Sequence, residues 1–387
     1  METQSSTVQL SALKGIDAAR LESELSAMWA EASGGGEGRA GVVRACVLNL
    51  VVYAEGAEER DEVDALLGEV IERHPCRAVV LVADRESQEP RLEAYVSTRC
   101  QLSSRGGKQV CGEQITIEAG GPVVESAATA VAPLLVPDVP VFLWWKDIPH
   151  YEDKLFNRLA EMADRVVIDS ATFDNPHFDL ARLAEILRER AGSLRLTDLN
   201  WGRLTSWRSL VASFWDVPEY RPSLAEIERV EIVYDPPDRS PGDLAPKALL
   251  AAGWMAACLG WQLDPDGGSR DSSETAFELK AGGRRRRVRL ALRAGEQAAG
   301  RDGMITSLTL STARGDQFYV RLRPDEAKLE TCATFGDGSP AVSRVLGLEA
   351  RSEGRRLSAE LDLLDRDRLY EQAVEFAARM LEIPQSG

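Results

Sequence analysis

Two nearly continuous apolar runs constrain this chain most, Cys46 to Val52 and Cys76 to Ala83. A strand with one wet face alternates polar and apolar residues; a run without alternation is buried on both faces. Between the two runs, Glu58 to Arg73 reads as a helix, stopped at His74-Pro75 because proline cannot continue the hydrogen-bond ladder. Strand, helix, strand with both strands sheathed predicts a β-α-β unit and a right-handed crossover.

The pattern continues downstream. An amphipathic helix is expected over Asp17 to Ala32, then a flexible Gly-rich break at 33–38. Arg91 to Leu102 and Gln109 to Glu118 read as a hairpin across Arg105-Gly106-Gly107. Helices are expected over Val123 to Leu135, Glu152 to Met162, Leu180 to Ala191 and Leu204 to Phe214. Strands Val139 to Trp145 and Arg165 to Asp169 alternate with them. This predicts a three-layer α/β domain with a mixed sheet over 39–217, preceded by an N-terminal helix and flexible segment, 1–38. After a boundary at 217–222 the pattern changes to one helix, Lys247 to Leu259, several strands and a last helix, Leu364 to Leu381. That predicts a smaller α+β domain over 223–387.

At 387 residues, 44% hydrophobic, the chain can fill two cores. Its net charge of −16 disfavours nucleic acid and anionic membranes as partners. The exception is Arg284-Arg285-Arg286-Arg287, which reads either as a solvated strand or as an anion-binding patch. The polar start carries no apolar leader, and no run reaches the roughly 18–20 apolar residues of a membrane span, so a cytoplasmic protein is expected. Six cysteines, at 46, 76, 100, 111, 258 and 332, then read as reduced thiols. Cys100 and Cys111 are the redox candidates: a two-residue turn at Arg105-Gly106 sets them directly opposite, whereas a turn at Gly106-Gly107 does not.

Catalytic motifs are missing. There is no CxxC, HExxH, GxxxxGK[ST] or GxSxG, and His74, His150 and His177 each sit in a loop beside a proline. Gly36-Glu37-Gly38-Arg39-Ala40-Gly41 has GxGxxG spacing but precedes the first strand, and no helix follows it. No catalytic, cofactor or metal residue is therefore assigned. The conspicuous residues are tryptophans: Trp144 and Trp145 end the strand of Leu134 to Trp145 (LLVPDVPVFLWW), and Trp201 and Trp207 flank Arg203 in Asp198 to Trp207 (DLNWGRLTSW). Adjacent strand residues point to opposite faces, so one of Trp144 and Trp145 must meet something other than the other's core. Aromatic rings beside arginine are common at the centres of interfaces. Trp144, Trp145, Trp201, Arg203 and Trp207 are thus the candidate partner-binding residues, forming a communicating surface or bracing one.

Taken in order, RACVLNLVVY (44–53), RHPCRAVVLV (73–82), CGEQITI (111–117), LLVPDVPVFLWW (134–145), ADRVVIDS (163–170), DLNWGRLTSW (198–207) and AGWMAACLGW (252–261) resemble the OpcA family, glucose-6-phosphate dehydrogenase assembly or regulatory proteins. The resemblance implies a non-catalytic cytosolic protein that binds glucose-6-phosphate dehydrogenase and promotes its assembly or allosteric activation. It would thereby support the oxidative pentose phosphate pathway and NADPH supply. The alternative is a sugar-phosphate- or nucleotide-binding protein or enzyme of the same pathway, with Arg203 or the arginine run on a phosphate. Strong thermal stabilisation by glucose 6-phosphate, 6-phosphogluconate or NADP without a partner would favour that alternative.

Overall fold

The computed structural model describes residues 4–8, 16–33, 43–102, 109–150, 152–271, 274–282, 286–323, 328–339, 341–347, 352–363 and 365–384. The chain forms two compact units. One comprises Met1–Ile168, Arg190–Thr197 and Arg351–Arg366; the other comprises Asp169–Glu189, Asp198–Ala350 and Asp367–Gly387. The division therefore does not fall at 217–222 as the Pro-rich sequence suggested, and each unit takes in segments distant in sequence. The second unit is similar in size to the first rather than smaller.

The first unit carries a nine-stranded mixed sheet. Its strands are β1 (Gln4–Val8), β2 (Val43–Arg44), β3 (Leu48–Glu55), β4 (Cys76–Asp84), β5 (Arg91–Leu102), β6 (Gln109–Gly120), β7 (Val141–Trp145), β8 (Arg165–Ile168) and β9 (Leu196–Asp198). The order is β1-β5-β6-β4-β3-β7-β8-β9, with β2 beside β6. β6, β4, β3, β7 and β8 run parallel, while β5 is antiparallel to β6 and β1 to β5. All but the last residue of β3 and of β4 are buried, so both faces are covered, as their unbroken apolar runs predicted. The helix Gly56–Arg73 links β3 to β4, and the helix Glu353–Leu361 packs on it. The expected helix over 123–135 is instead three short turns, Gly121–Ser126, Ala128–Val131 and Ala132–Leu134. Pro133 breaks it, because proline has no N–H and its ring clashes with the preceding turn.

The approach to β7 explains the Pro-Asp-Val-Pro sequence. Pro137 fixes its own φ, and Asp138 adopts a φ of 61°, the left-handed position of a tight turn. Fully buried Asn49, on β3, clamps the segment: its amide donates to the Val136 carbonyl (2.9 Å) and accepts from the Val136 N–H (2.8 Å).

A buried ion pair ties the other half of this sheet together. Arg77 on β4 lies directly opposite Glu113 on β6, 2.6 Å from its carboxylate. Arg77 also donates to Glu22 and to the Leu134 carbonyl, and the Trp29 indole N–H donates to Glu113 at 2.6 Å. Glu22 and Trp29 belong to the helix Ala18–Ser33.

The second unit has an eight-stranded sheet. Its strands are β10 (Ile227–Tyr234), β11 (Gln262–Arg270), β12 (Glu274–Ala281), β13 (Arg286–Ala294), β14 (Ile305–Thr312), β15 (Gln317–Arg323), β16 (Lys328–Thr334) and β17 (Val342–Gly347), in the order β11-β12-β13-β10-β14-β15-β16-β17. Only the β10–β13 pair is parallel. Ile227, Val230, Ile232 and Tyr234 alternate inward, the pattern of a strand with one wet face. The helices Pro176–Glu189, Pro246–Leu259 and Arg368–Glu382 pack on one another. Gly253 is where two of them meet: a Cβ there would lie 2.3 Å from the Ala373 carbonyl oxygen.

Removing Arg77 leaves Glu113 charged and buried. Arg77→Met is expected to lower unfolding free energy by about 3–5 kcal/mol. The double change Arg77→Met, Glu113→Leu should recover much of that. Urea unfolding of both variants checks it; equal losses would show that charge pairing is not what the position supplies.

Candidate functional site

In an open α/β sheet, ligands bind at the carboxyl ends of the strands where strand order reverses. Here that place lies between β3 and β7, with β4 and β6 on one side of β3 and β7 and β8 on the other. The turn leaving β3 has a single glycine, Gly56 (φ 74°), followed by Glu58 and Glu59 in the first helical turn. The Glu59 carboxylate accepts the Glu55 N–H at 2.7 Å, and burial pushes its pKa up. Glu55 accepts from the Tyr53 hydroxyl. Arg85 donates to Tyr53 (2.8 Å) and to Asp153 (2.7 Å), and Lys146 pairs with Glu62 at 2.6 Å. A dinucleotide needs free N–H groups and close backbone approach for its pyrophosphate. Here the Glu59 carboxylate already takes the Glu55 N–H, and Glu58 adds a second acid to the same first turn, so the residues present do not fit such a cofactor. The GxGxxG stretch at 36–41 lies outside the described residues.

Trp144 and Trp145 sit in this unit, 2% and 0% exposed. Trp145 stacks on Tyr53, ring centroids 3.8 Å apart, and meets Phe156 edge-on at 5.1 Å. Trp144 points to the other face, with the Lys146 ammonium 5.6 Å from its ring. Both rings are almost wholly covered, so each can brace a surface but neither forms one.

Trp201, Arg203 and Trp207 belong to the second unit, where DLNWGRLTSW forms a cluster of helix starts. Asp198 caps the short helix Leu199–Arg203: one oxygen accepts from the N–H groups of Asn200 (2.8 Å) and Ser170 (2.9 Å). Its other oxygen accepts from the Ser170 hydroxyl (2.6 Å) and, more weakly, from Tyr370 (3.4 Å). Asp169 caps the next turn and holds Arg203 in a two-pronged ion pair at 2.6 and 2.7 Å. The Trp201 indole N–H donates to Asp367 at 2.8 Å, and Asp367 caps the helix Arg368–Glu382. The Arg208 guanidinium covers the Trp201 ring at 3.6 Å. Trp207 is buried on the inner side of the helix Thr205–Ser213. Burial and, secondly, the Asp169 charge push the Asp198 carboxyl up to about 6, against the donors of Ser170 and Asn200.

Beside this cluster is a cavity of about 130 Å³, lined by Thr172, Asn200, Arg239, Ser240, Lys247 and Asp302 among others. His177 fixes a nearby loop by accepting the Leu244 N–H at 2.7 Å through Nε2, and burial lowers its pKa. No group of three or more His, Cys, Asp or Glu suited to a metal occurs among the described residues.

Arg284 and Arg285 lie outside the described residues. Arg286 donates to the Ile227 carbonyl, and exposed Arg287 lies 3.8 Å from Asp264, so both belong to the sheet's own polar network. The β5–β6 register sets Cys100 opposite Cys111, the outcome of the Arg105-Gly106 alternative. Cys111 is fully buried and disulfide-bonded, so the expectation of reduced thiols fails there; Cys46, Cys76, Cys258 and Cys332 are free.

Residues 68–185 match the family described as glucose-6-phosphate dehydrogenase subunit N-terminal domain, and residues 194–374 match its C-terminal domain. The chain belongs to the OpcA family. It is 37% identical over 195 residues to the OxPP cycle protein OpcA of Nostoc punctiforme, covering 50% of this chain and 40% of that one. Its counterpart in Synechococcus elongatus is 33% identical over 221 residues, 56% of this chain and 47% of that one. The chain thus spans less than half the length of these OpcA relatives in alignment. Among solved structures, a 3-ketoreductase from Actinomadura kijaniata in complex with NADP is 13% identical, covering 87% of this chain and 96% of that chain at a TM-score of 0.48. A likeness that distant says nothing of activity.

The Asp198 shift has a testable sign. A carboxyl whose folded pKa is raised stabilises the fold below its unfolded value, near 4, and that contribution is lost as pH rises through about 6. Asp198→Asn cannot titrate. The stability of the unsubstituted protein relative to Asp198→Asn should therefore rise by on the order of 3 kcal/mol as pH falls from 7 to 4. Urea midpoints across that range measure it; a pH-independent difference would mean Asp198 is not perturbed.

Proposed function

We propose that this protein binds glucose-6-phosphate dehydrogenase and promotes its assembly or allosteric activation, without chemistry of its own. The family's domain descriptions name a glucose-6-phosphate dehydrogenase subunit, and the relatives carry the name of the OxPP cycle. The single observation that supports the non-catalytic part is the turn after β3, where the Glu59 carboxylate takes the Glu55 N–H and sets negative charge where a phosphate would have to approach. Such a protein acts in the cytoplasm and supports NADPH supply through the oxidative pentose phosphate pathway.

An activator must bind the active form of its partner more tightly than the inactive form, since only differential affinity moves an equilibrium. Trp144, Trp145, Trp201 and Trp207 contribute from beneath, by fixing the segments above them. Arg203, locked to Asp169, is the partly exposed member of the set. Cys100 and Cys111 are the place where thiol chemistry would modulate the effect.

Initial rates of the cognate dehydrogenase, with and without this protein, test the proposal. The expected result is a higher rate or a larger fraction of assembled enzyme, lowered at least several-fold by Trp201→Ala and Arg203→Ala. Rates untouched by the protein would sink the function. Full activation by both variants, each shown folded by circular dichroism, would sink only the site assignment.

A further inference from the structure

The cavity in the second unit carries a ligand assignment of its own. Asn200 lines it and is 1% exposed. Its amide nitrogen donates to the Ser170 hydroxyl at 3.0 Å, while its amide oxygen is buried without a hydrogen-bond partner. The surroundings fix that orientation. Ser170 has one hydroxyl proton and gives it to the Asp198 carboxylate at 2.6 Å. Its oxygen can therefore only accept from Asn200, so Asn200 must turn its NH2 to Ser170 and its oxygen elsewhere. A buried acceptor left unmatched is costly, and one in a native fold calls for a donor.

Two further features share the same cavity. The Ser240 hydroxyl is also buried without a partner. Lys247, 8% exposed, stands in the first turn of the 14-residue helix Pro246–Leu259, so a buried cation and a helix N-terminus face the same place. Carboxylates nearby temper the positive field. Asp302 lines the cavity and accepts the Asp238 N–H at 2.8 Å, and exposed Arg239 is paired with Asp174. The volume, about 130 Å³, is that of a benzene-sized guest rather than of a nucleotide.

We infer that this cavity binds a small anion bearing a hydroxyl group. The anionic oxygens face Lys247 and the helix start, and the hydroxyl donates to the Asn200 amide oxygen, with Ser240 completing the set. Hydrogen phosphate and a short hydroxycarboxylate share this chemistry, and the ligand is held without any covalent step.

Isothermal titration of the whole protein tests it with four probes: inorganic phosphate, glycerate, sulfate and glycerol. Phosphate or glycerate, or both, should bind in the millimolar range or tighter, and which of them does identifies the anionic group. Sulfate, which lacks a donor at neutral pH, and glycerol, which lacks the charge, should bind at least tenfold more weakly. Lys247→Met and Ser240→Ala should each weaken the binding at least fivefold, while Arg287→Ala, beside Asp264 and outside the cavity lining, should not change it. Neither anion binding at 10 mM would overturn the inference, leaving the cavity to water. So would binding unchanged in both cavity variants. Sulfate binding as well as phosphate and glycerate would refute the hydroxyl contact, and glycerol binding as well as glycerate would refute the anion site. Ser240→Ala removes one buried hydroxyl at a loop position, so it keeps the test decisive should Lys247→Met fail to fold.

Discussion

The Arg77–Glu113 pair holds the first unit in register. Both residues are almost wholly buried, so the pair must compensate for stripping water from two charges. It does so because each spare hydrogen-bonding position is used: Glu22, the Leu134 carbonyl and the Trp29 indole all converge on it. A shift of β4 against β6 by one residue would separate the charges and leave both without water. The pair thus selects one register among several that apolar β-branched side chains alone would tolerate. Where the parallel strands β3 and β4 are sheathed in hydrocarbon, this polar contact supplies the specificity that oily contacts lack.

In the second unit, carboxylates do comparable work at chain starts rather than between strands. Asp169, Asp198 and Asp367 each cap a helix or helical turn, and each has a second engagement: Arg203, the Ser170 hydroxyl and the Trp201 indole. A cap with two duties couples the placement of one segment to another. The cluster is therefore tightly tied, and the raised pKa of Asp198 at its centre reflects its burial.

Much of this was legible in the residues. The apolar runs at 46–52 and 76–83 foretold β3 and β4, and the Gly-rich stretch foretold the β5–β6 hairpin while leaving two registers open, of which the structure takes the one that sets Cys100 opposite Cys111. The tryptophan segments marked two places where large rings are buried. Other features left no local trace. β11 runs through Asp264-Pro265-Asp266-Gly267-Gly268, residues that disfavour strands, and exists because it is an edge strand with a register shift between Leu263 and Gly268. Within the cluster, Asp198 lies 28 residues from Ser170 and 172 from Tyr370, so nothing near DLNWGRLTSW named its partners. Tryptophan content alone could not separate a ring that meets a partner from one that stacks on Tyr53, because both demand the same bulk. The interleaving of the two units escaped composition for a similar reason: an amphipathic helix does not declare which core it will fill.

That interleaving bears on how the chain is made. The first unit includes the helix Glu353–Leu361, and the second includes the helix Arg368–Glu382. Both follow nearly everything else in the sequence. During synthesis, each of these helices reaches its core only after the strands it joins have been made. A chain cut short of Arg368 would leave the helices Pro176–Glu189 and Pro246–Leu259 without the partner on which both pack.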